Sequence, residues 1–138
     1  MSINLNNTLP AAPLGGQNIL WQQDTSGNVS AYTSLSDTMT TVVPVAGVVT
    51  LNCAMGNVFL IQVTMAVTSV VVTNPTAGQI ITLLWYQIST GFTVTYSATF
   101  IGYTAPSTTA GTFSSQQFVY NLADTNFFAL STGVQGMI

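Results

Sequence analysis

The sequence contains almost no charge. It has no Lys, Arg or His, and three aspartates, Asp24, Asp37 and Asp124, are its acidic residues, so that 2% of its 138 residues are charged. An average globular protein has about 25%. Without cations the chain cannot neutralise the phosphates that dominate nucleic-acid affinity, and it lacks the basic residues that attract proteins to anionic membrane surfaces. We therefore expect neither nucleic acid nor a membrane as a partner.

The absence of these side chains also excludes most classes of enzyme active site. No His, Lys or Glu is present to act as a general base beside a serine, and no Lys follows a glycine-rich loop to bind phosphate. Each aspartate lies in a turn-like sequence, such as "QQDTSGN" around Asp24, where its carboxylate accepts backbone N–H bonds. We predict that the protein is not an enzyme and has no catalytic, metal-binding or cofactor-binding residue.

Cysteine and long apolar runs are scarce as well. The single cysteine, Cys53, excludes an internal disulfide and a cysteine-based metal cluster, and its apolar surroundings in "VTLNCAMG" predict a buried side chain. The longest nearly apolar run, residues 42–49, is broken by Pro44 and Gly47 and is much shorter than the about 20 residues of a transmembrane helix. The first residues have neither a basic nor an apolar region typical of a secretory signal, so we expect none.

Hydrophobic residues, in contrast, are abundant. They make up 48% of the chain and include seven Phe, five Tyr and two Trp, which is enough to build a packed core. With a net charge of −3, copies of the chain repel one another weakly. We expect a homo-oligomer, a dimer or a trimer, whose association depends little on salt or on pH between about 5 and 9.

Residues 1–37 differ from the rest of the chain. Pro10, Pro13 and the pair Gly15–Gly16 prevent a helix and predict an extended N-terminal arm or linker with short β segments. Such an arm typically lies across a neighbouring molecule or remains mobile. Its predicted interaction residues are Leu9, Pro10, Pro13, Leu20, Trp21 and Tyr32.

Residues 38–138 show the two-residue period of β-strands. In "NVFLIQVTM" the apolar positions alternate from Phe59 to Met65, and "VTSVVVT" (67–73) is rich in β-branched residues. Residues 80–97 and 116–132 each predict a hairpin, the first through "QISTG" and the second through "ADT". About eight short strands without a fixed repeat predict an all-β fold, an antiparallel, jelly-roll-like β-sandwich preceded by the extended arm.

The aromatic residues allow two interpretations. They could form a sugar-binding platform, for which the candidates are Trp21, Trp85, Tyr86, Tyr96, Tyr103 and Tyr120. Trp85, Tyr96 and Tyr120, however, fall on apolar strand faces. We therefore favour a place for these three in the core or in subunit contacts.

Two long segments resemble known proteins. "LNNTLPAAPLGGQNILWQQDTSGNVSAY" resembles a segment that recurs in virion proteins of tailed bacteriophages. "GQIITLLWYQISTGFTVTYSATF" and "PSTTAGTFSSQQFVYN" are similar to a β-rich module of phage capsid-decorating, tail and fibre proteins. Together these segments cover about half of the chain.

The resemblance implies a structural virion protein. For a chain of this length we expect a decoration (cement) protein on the outer capsid surface, made in the host cytoplasm, with the major capsid protein as its partner. One alternative is a tail or fibre module that binds host-surface glycans. Another is a self-assembling filament subunit whose arm donates a strand to its neighbour.

Overall fold

A computed structural model of the protein describes residues 20–23, 26–27, 29–32 and 39–138. These residues form eleven β-strands, and none of them is helical, which confirms the all-β prediction for this part of the chain. The strands are β1 (Leu20–Gln23), β2 (Val29–Tyr32), β3 (Met39–Val42), β4 (Val48–Asn52), β5 (Val58–Val63), β6 (Ser69–Thr73), β7 (Ile80–Gln87), β8 (Phe100–Ile101), β9 (Phe113–Asn121), β10 (Asn126–Ala129) and β11 (Val134–Met137).

The chain divides into two compact units, Met1–Asp37 and Thr38–Ile138. In the first unit β1 and β2 pair antiparallel, with Leu20 opposite Tyr32. The second unit contains β3 to β11, which form a large and a small sheet.

The large sheet has the strand order β3-β5-β7-β9-β10-β8, and β11 lies beside the first half of β9. β3, β5 and β7 are parallel, whereas β9 is antiparallel to both β7 and β10. The apolar alternation read from the sequence places one face of this sheet in the core. The fully buried apolar side chains of β5 and β7 are Phe59, Ile61, Val63, Ile81, Leu83 and Trp85.

The small sheet consists of β4 and β6, which are parallel. Just before β6, the backbone of Val67 donates to Thr93 O at 2.9 Å and accepts from Thr95 N at 2.8 Å, which forms an isolated parallel bridge between Val67 and Val94. The chain follows a similar path more than once. β3 is followed by β4 and β5 by β6, each pair placing one strand in each sheet, and β7 is followed by the segment that bridges to Val67.

The two sheets share one hydrophobic core. Its largest fully buried side chains are Trp85, Phe59 and Phe118, and burial of each contributes roughly 1.5–3 kcal/mol. The buried apolar residues of this cluster are Val49, Leu51, Cys53, Phe59, Ile61, Val63, Val67, Val70, Ile81, Leu83, Trp85, Val94, Tyr96, Phe100, Phe118, Tyr120 and Phe127.

The predicted antiparallel topology is wrong for the first three strands of the large sheet and for the small sheet. Both sheets are mixed or parallel there, because each strand is followed by one in the opposite sheet and the chain returns in its original direction. Alternating apolar residues define which face is buried, but they do not define which strand is the neighbour.

Of the two predicted hairpins, one is confirmed. β9 and β10 pair antiparallel around the "ADT" turn, with Asn121 opposite Asn126. The hairpin over residues 80–97 is wrong, since the neighbours of β7 are β5 and β9. Gln87 at the end of β7 bonds the backbone N and O of Phe92, at 3.0 and 2.8 Å, and so holds the chain where it crosses to the small sheet.

Candidate interaction surface

Asp124 is the one carboxylate side chain in residues 39–138, and it forms a turn. Its Oδ1 accepts a hydrogen bond from Asn126 N at 3.2 Å in the β9–β10 connection, where Thr125 has a φ of 58°. The turn-forming role predicted for this aspartate is confirmed. Asp24 and Asp37 lie outside the described residues.

Cys53 lies in the core and is 5% exposed, as predicted. Burial raises the pKa of its thiol from the ordinary value of 9.0 to about 11. Since the thiolate is the nucleophilic form of cysteine, this side chain acts as a small apolar core residue at neutral pH.

The described residues bring together no group of three or more His, Cys, Asp or Glu that could hold a metal ion. Every buried side-chain nitrogen or oxygen in this part of the chain has a hydrogen-bond partner. No helix among the described residues is long and apolar enough to cross a membrane.

Three of the six aromatic side chains considered for sugar binding lie in the core. Trp85 Nε1 donates to Tyr96 Oη at 2.7 Å, and both rings are buried, as is Tyr120. The core interpretation of these three residues is confirmed. Tyr103, which is 41% exposed, stacks on Tyr96 with ring centroids 4.5 Å apart and is the exposed end of this cluster.

The outward face of the large sheet carries several half-buried apolar side chains. Alternation places every second residue of β5, β7 and β9 on this face, where Leu60 is paired with Leu84 and Tyr86 with Phe113. The Tyr86 and Phe113 rings stack with centroids 4.4 Å apart and an interplanar angle of 14°. We call this surface the outer face, and its half-buried apolar residues are Val58, Leu60, Leu84, Tyr86, Phe113 and Val119.

The polar groups of the outer face are neutral. Between its apolar pairs, Gln117 Nε2 donates to Thr82 Oγ1 at 3.1 Å across β9 and β7. No charged residue occurs on β5, β7 or β9. A neutral and largely apolar sheet face can bind another protein by close packing, and its contacts would be insensitive to salt.

The structure describes three of the six predicted interaction residues. Leu20 and Trp21 lie in β1 and Tyr32 lies in β2. Leu9, Pro10 and Pro13 lie outside the described residues. The outer face was missed by sequence reasoning, although apolar Val58 and Leu60 on the second face of an amphipathic strand were a signal of it.

No protein-family model matches the chain, and no curated protein matches it.

Proposed function

We propose that this protein is a non-enzymatic structural component of a phage virion, which decorates the outer capsid surface as a homo-oligomer. Its scaffold is a β-sandwich formed by the two sheets, and its partner is the major capsid protein. The observation that carries the proposal is the neutral apolar outer face. The choice of a phage virion as the particle rests on the resemblance of the N- and C-terminal segments to virion proteins.

The mechanism is mechanical attachment. A decorating protein has to cover a large lattice with many identical copies, which favours contacts made by a flat surface with weak repulsion between copies. The outer face offers Leu60, Leu84 and the Tyr86–Phe113 stack for apolar burial, and Thr82 and Gln117 for neutral hydrogen bonds. The arm over residues 1–37 would reach across adjacent capsid subunits.

Location and copy number test the proposal directly. Electron cryo-microscopy of the native particle should find this chain over the head in hundreds of copies. A few copies at the tail would favour the glycan-binding alternative, and a helical polymer without a capsid would favour the filament alternative. Either result, or the absence of the chain from the particle, would overturn capsid decoration.

A charge placed on the outer face tests the surface itself. Leu84→Lys puts a cation at the centre of the face, and it should weaken binding to capsids lacking the protein by at least about tenfold, because the interface would bury an unpaired charge. Val71→Lys is the matched control, since Val71 is 42% exposed on the small sheet. Cosedimentation with capsids measures both variants, and circular dichroism checks their folding. If both variants lose capsid binding to the same extent, or if neither loses it, the outer face is not the attachment surface.

A further inference from the structure

One side chain is charged in residues 39–138, and its charge is not needed for the turn that it forms. The Oδ1 of Asp124 accepts a hydrogen bond from Asn126 N at 3.2 Å in the β9–β10 turn. Asn52 and Asn121 form the same bond with a neutral amide oxygen, each accepting from the backbone N two residues later at 3.1 Å. The turn therefore requires an acceptor oxygen, and the negative charge at position 124 is left without a structural role.

The carboxylate lies close to a row of apolar side chains on the outward side of the large sheet. Direct pairing of β7, β9, β10 and β8 places one residue of each strand in this row. We call it the apolar row, and its residues are Ile80, Val119, Phe128 and Ile101. At the usual strand spacing the row is about 14 Å long. Asn126, which bonds the carboxylate of Asp124, is about 7 Å from Phe128 along β10.

The apolar row is accessible to a partner. Ile80 is 48% exposed and Ile101 is 42% exposed, and Leu122 in the adjoining turn is 60% exposed. Val119 belongs to the outer face as well, so the row continues that face to β8, the last strand of the large sheet. The result is an exposed apolar surface with a single negative charge at its border.

We propose that the apolar row and Asp124 bind a segment of the major capsid protein that has apolar side chains and one lysine or arginine. The apolar side chains lie along the row, and the cation pairs with the carboxylate of Asp124. This proposal rests on capsid decoration as the function. It adds the chemistry of the capsid segment and a contact that fixes its orientation.

Charge complementarity selects this occupant. The complement of a carboxylate at the border of an apolar contact is a cation, and such a pair contributes specificity and orientation to an interface. The 138 residues contain no lysine, arginine or histidine, so a second copy of this chain has no basic side chain to offer. A different protein therefore supplies the cation. Because the apolar row is continuous with the outer face, this protein is the one that the outer face binds.

Asp124→Asn tests the charge, with the purified full chain and capsids lacking the protein. Asparagine retains an acceptor for Asn126 N, so the turn should persist, which circular dichroism checks. At about 50 mM salt the variant should raise the dissociation constant by about three- to tenfold, because the cation of the capsid segment loses its partner. At about 1 M salt the variant and the wild type should bind alike, because salt screens the ion pair. Cosedimentation measures both conditions.

Two further variants complete the test. Adding Val71→Asp to Asp124→Asn restores the net charge on the small sheet, and it should not restore binding. Ile101→Gln makes one end of the apolar row polar and should raise the dissociation constant by about fivefold, because the contact loses apolar burial. Val71→Gln is its matched control, since Val71 and Ile101 are both 42% exposed, and it should leave binding unchanged.

Several outcomes would overturn the proposal. These are wild-type affinity in Asp124→Asn, a loss of affinity that persists at high salt, and recovery of binding on addition of Val71→Asp. Self-association of the purified chain that Asp124→Asn weakens would also overturn it, because the occupant would then be a second copy. If Leu84→Lys weakens attachment and Asp124→Asn does not, capsid decoration is retained and the capsid segment proposed here is wrong. If the wild type does not bind capsids, both proposals are wrong.

Discussion

At the residue scale, backbone conformation defines turns in this chain, which has almost no charge. Val45 and Val48 exchange two backbone hydrogen bonds, each 2.9 Å long, around Ala46 and Gly47. Both central residues have positive φ, 50° and 79°, which is the conformation of a type I′ turn. Glycine adopts it freely, but alanine does so at a cost of roughly 1–2 kcal/mol.

Ala46→Asn should therefore stabilise the protein by about 0.5–1 kcal/mol, because Asn-Gly is the preferred pair for this turn. Ala46 is exposed, so the new side chain meets no packed neighbour. Gly47→Ala is the opposite case, since its Cβ would lie 3.0 Å from Thr68 Oγ1 and 3.3 Å from Ala66 O at a φ unsuited to alanine. Urea denaturation followed by circular dichroism measures both. Stabilisation by Gly47→Ala would contradict the turn assignment.

The buried Trp85–Tyr96 pair gives a second residue-scale prediction. Tyr96→Phe removes the acceptor of the Trp85 Nε1 hydrogen bond, 2.7 Å long, and leaves that N–H unpaired in the core. The cost should be about 1–3 kcal/mol in the free energy of unfolding. Tyr103→Phe removes the hydroxyl of the exposed ring stacked on Tyr96, and it should change stability by less than about 0.5 kcal/mol. If the two variants change the free energy of unfolding by the same amount, the Trp85–Tyr96 hydrogen bond contributes nothing to stability.

At the element scale, buried glutamine side chains connect separate segments of the chain by hydrogen bonds, a role that ion pairs have in other proteins. Gln116, 4% exposed on β9, accepts a hydrogen bond from Thr104 N at 2.7 Å and donates to Ser131 O at 2.7 Å. Its amide thus fixes the segment after β8 and the segment before β11 to the same strand. A neutral amide does this without the desolvation cost of a buried charge.

Gln116→Leu should destabilise the protein by about 2–4 kcal/mol, because it leaves the Thr104 amide and the Ser131 carbonyl without their partner. Hydrogen exchange at the Thr104 amide should accelerate as well. Gln117→Leu is the control on the adjacent residue, which is exposed and bonds Thr82 across the outer face. Its effect should stay within about 0.5 kcal/mol. Unchanged exchange at Thr104 in the Gln116 variant would contradict the role given to this side chain.

How much of the fold was predictable depends on the element. The β9–β10 hairpin was predicted because its two strands and their turn are adjacent in sequence. The parallel pairs were not, because Met39 lies beside Val58 and Val58 beside Thr82, at unequal offsets that leave no repeat to detect. The side-chain bonds from Gln87 to the backbone of Phe92 also have no sequence signature.

The candidate surface was predictable in part for the same reason. Val58 and Leu60 show from sequence that the second face of β5 is apolar. That Leu84 and Tyr86 extend the same face depends on the pairing of β5 with β7, which is a long-range contact. Strand order is not encoded in any local pattern of the sequence.

At the scale of the whole molecule, the near absence of charge decides how stability responds to the solution. With Asp124 as the one carboxylate side chain of residues 39–138, there are no side-chain ion pairs in this unit for salt to screen. The groups whose ionisation the fold opposes are instead buried acids that are neutral below pH 8. Burial raises the pKa of the Cys53 thiol to about 11, and it also raises the pKa of the Tyr96 hydroxyl.

Stability should therefore be constant through neutral pH and fall in the alkaline range. A folded-state pKa above the unfolded value means that the native state favours the neutral thiol, so the contribution of Cys53 is complete below pH 9.0 and is lost as pH rises toward about 11. Urea midpoints at pH 7, 9 and 10.5 measure the loss. In Cys53→Ala the decline should begin at higher pH, since Tyr96, whose pKa burial also raises, has an ordinary pKa of 10.0. A midpoint that is the same at pH 7 and 10.5, or a wild-type decline that Cys53→Ala leaves unaltered, would show that the thiol does not control the alkaline limit.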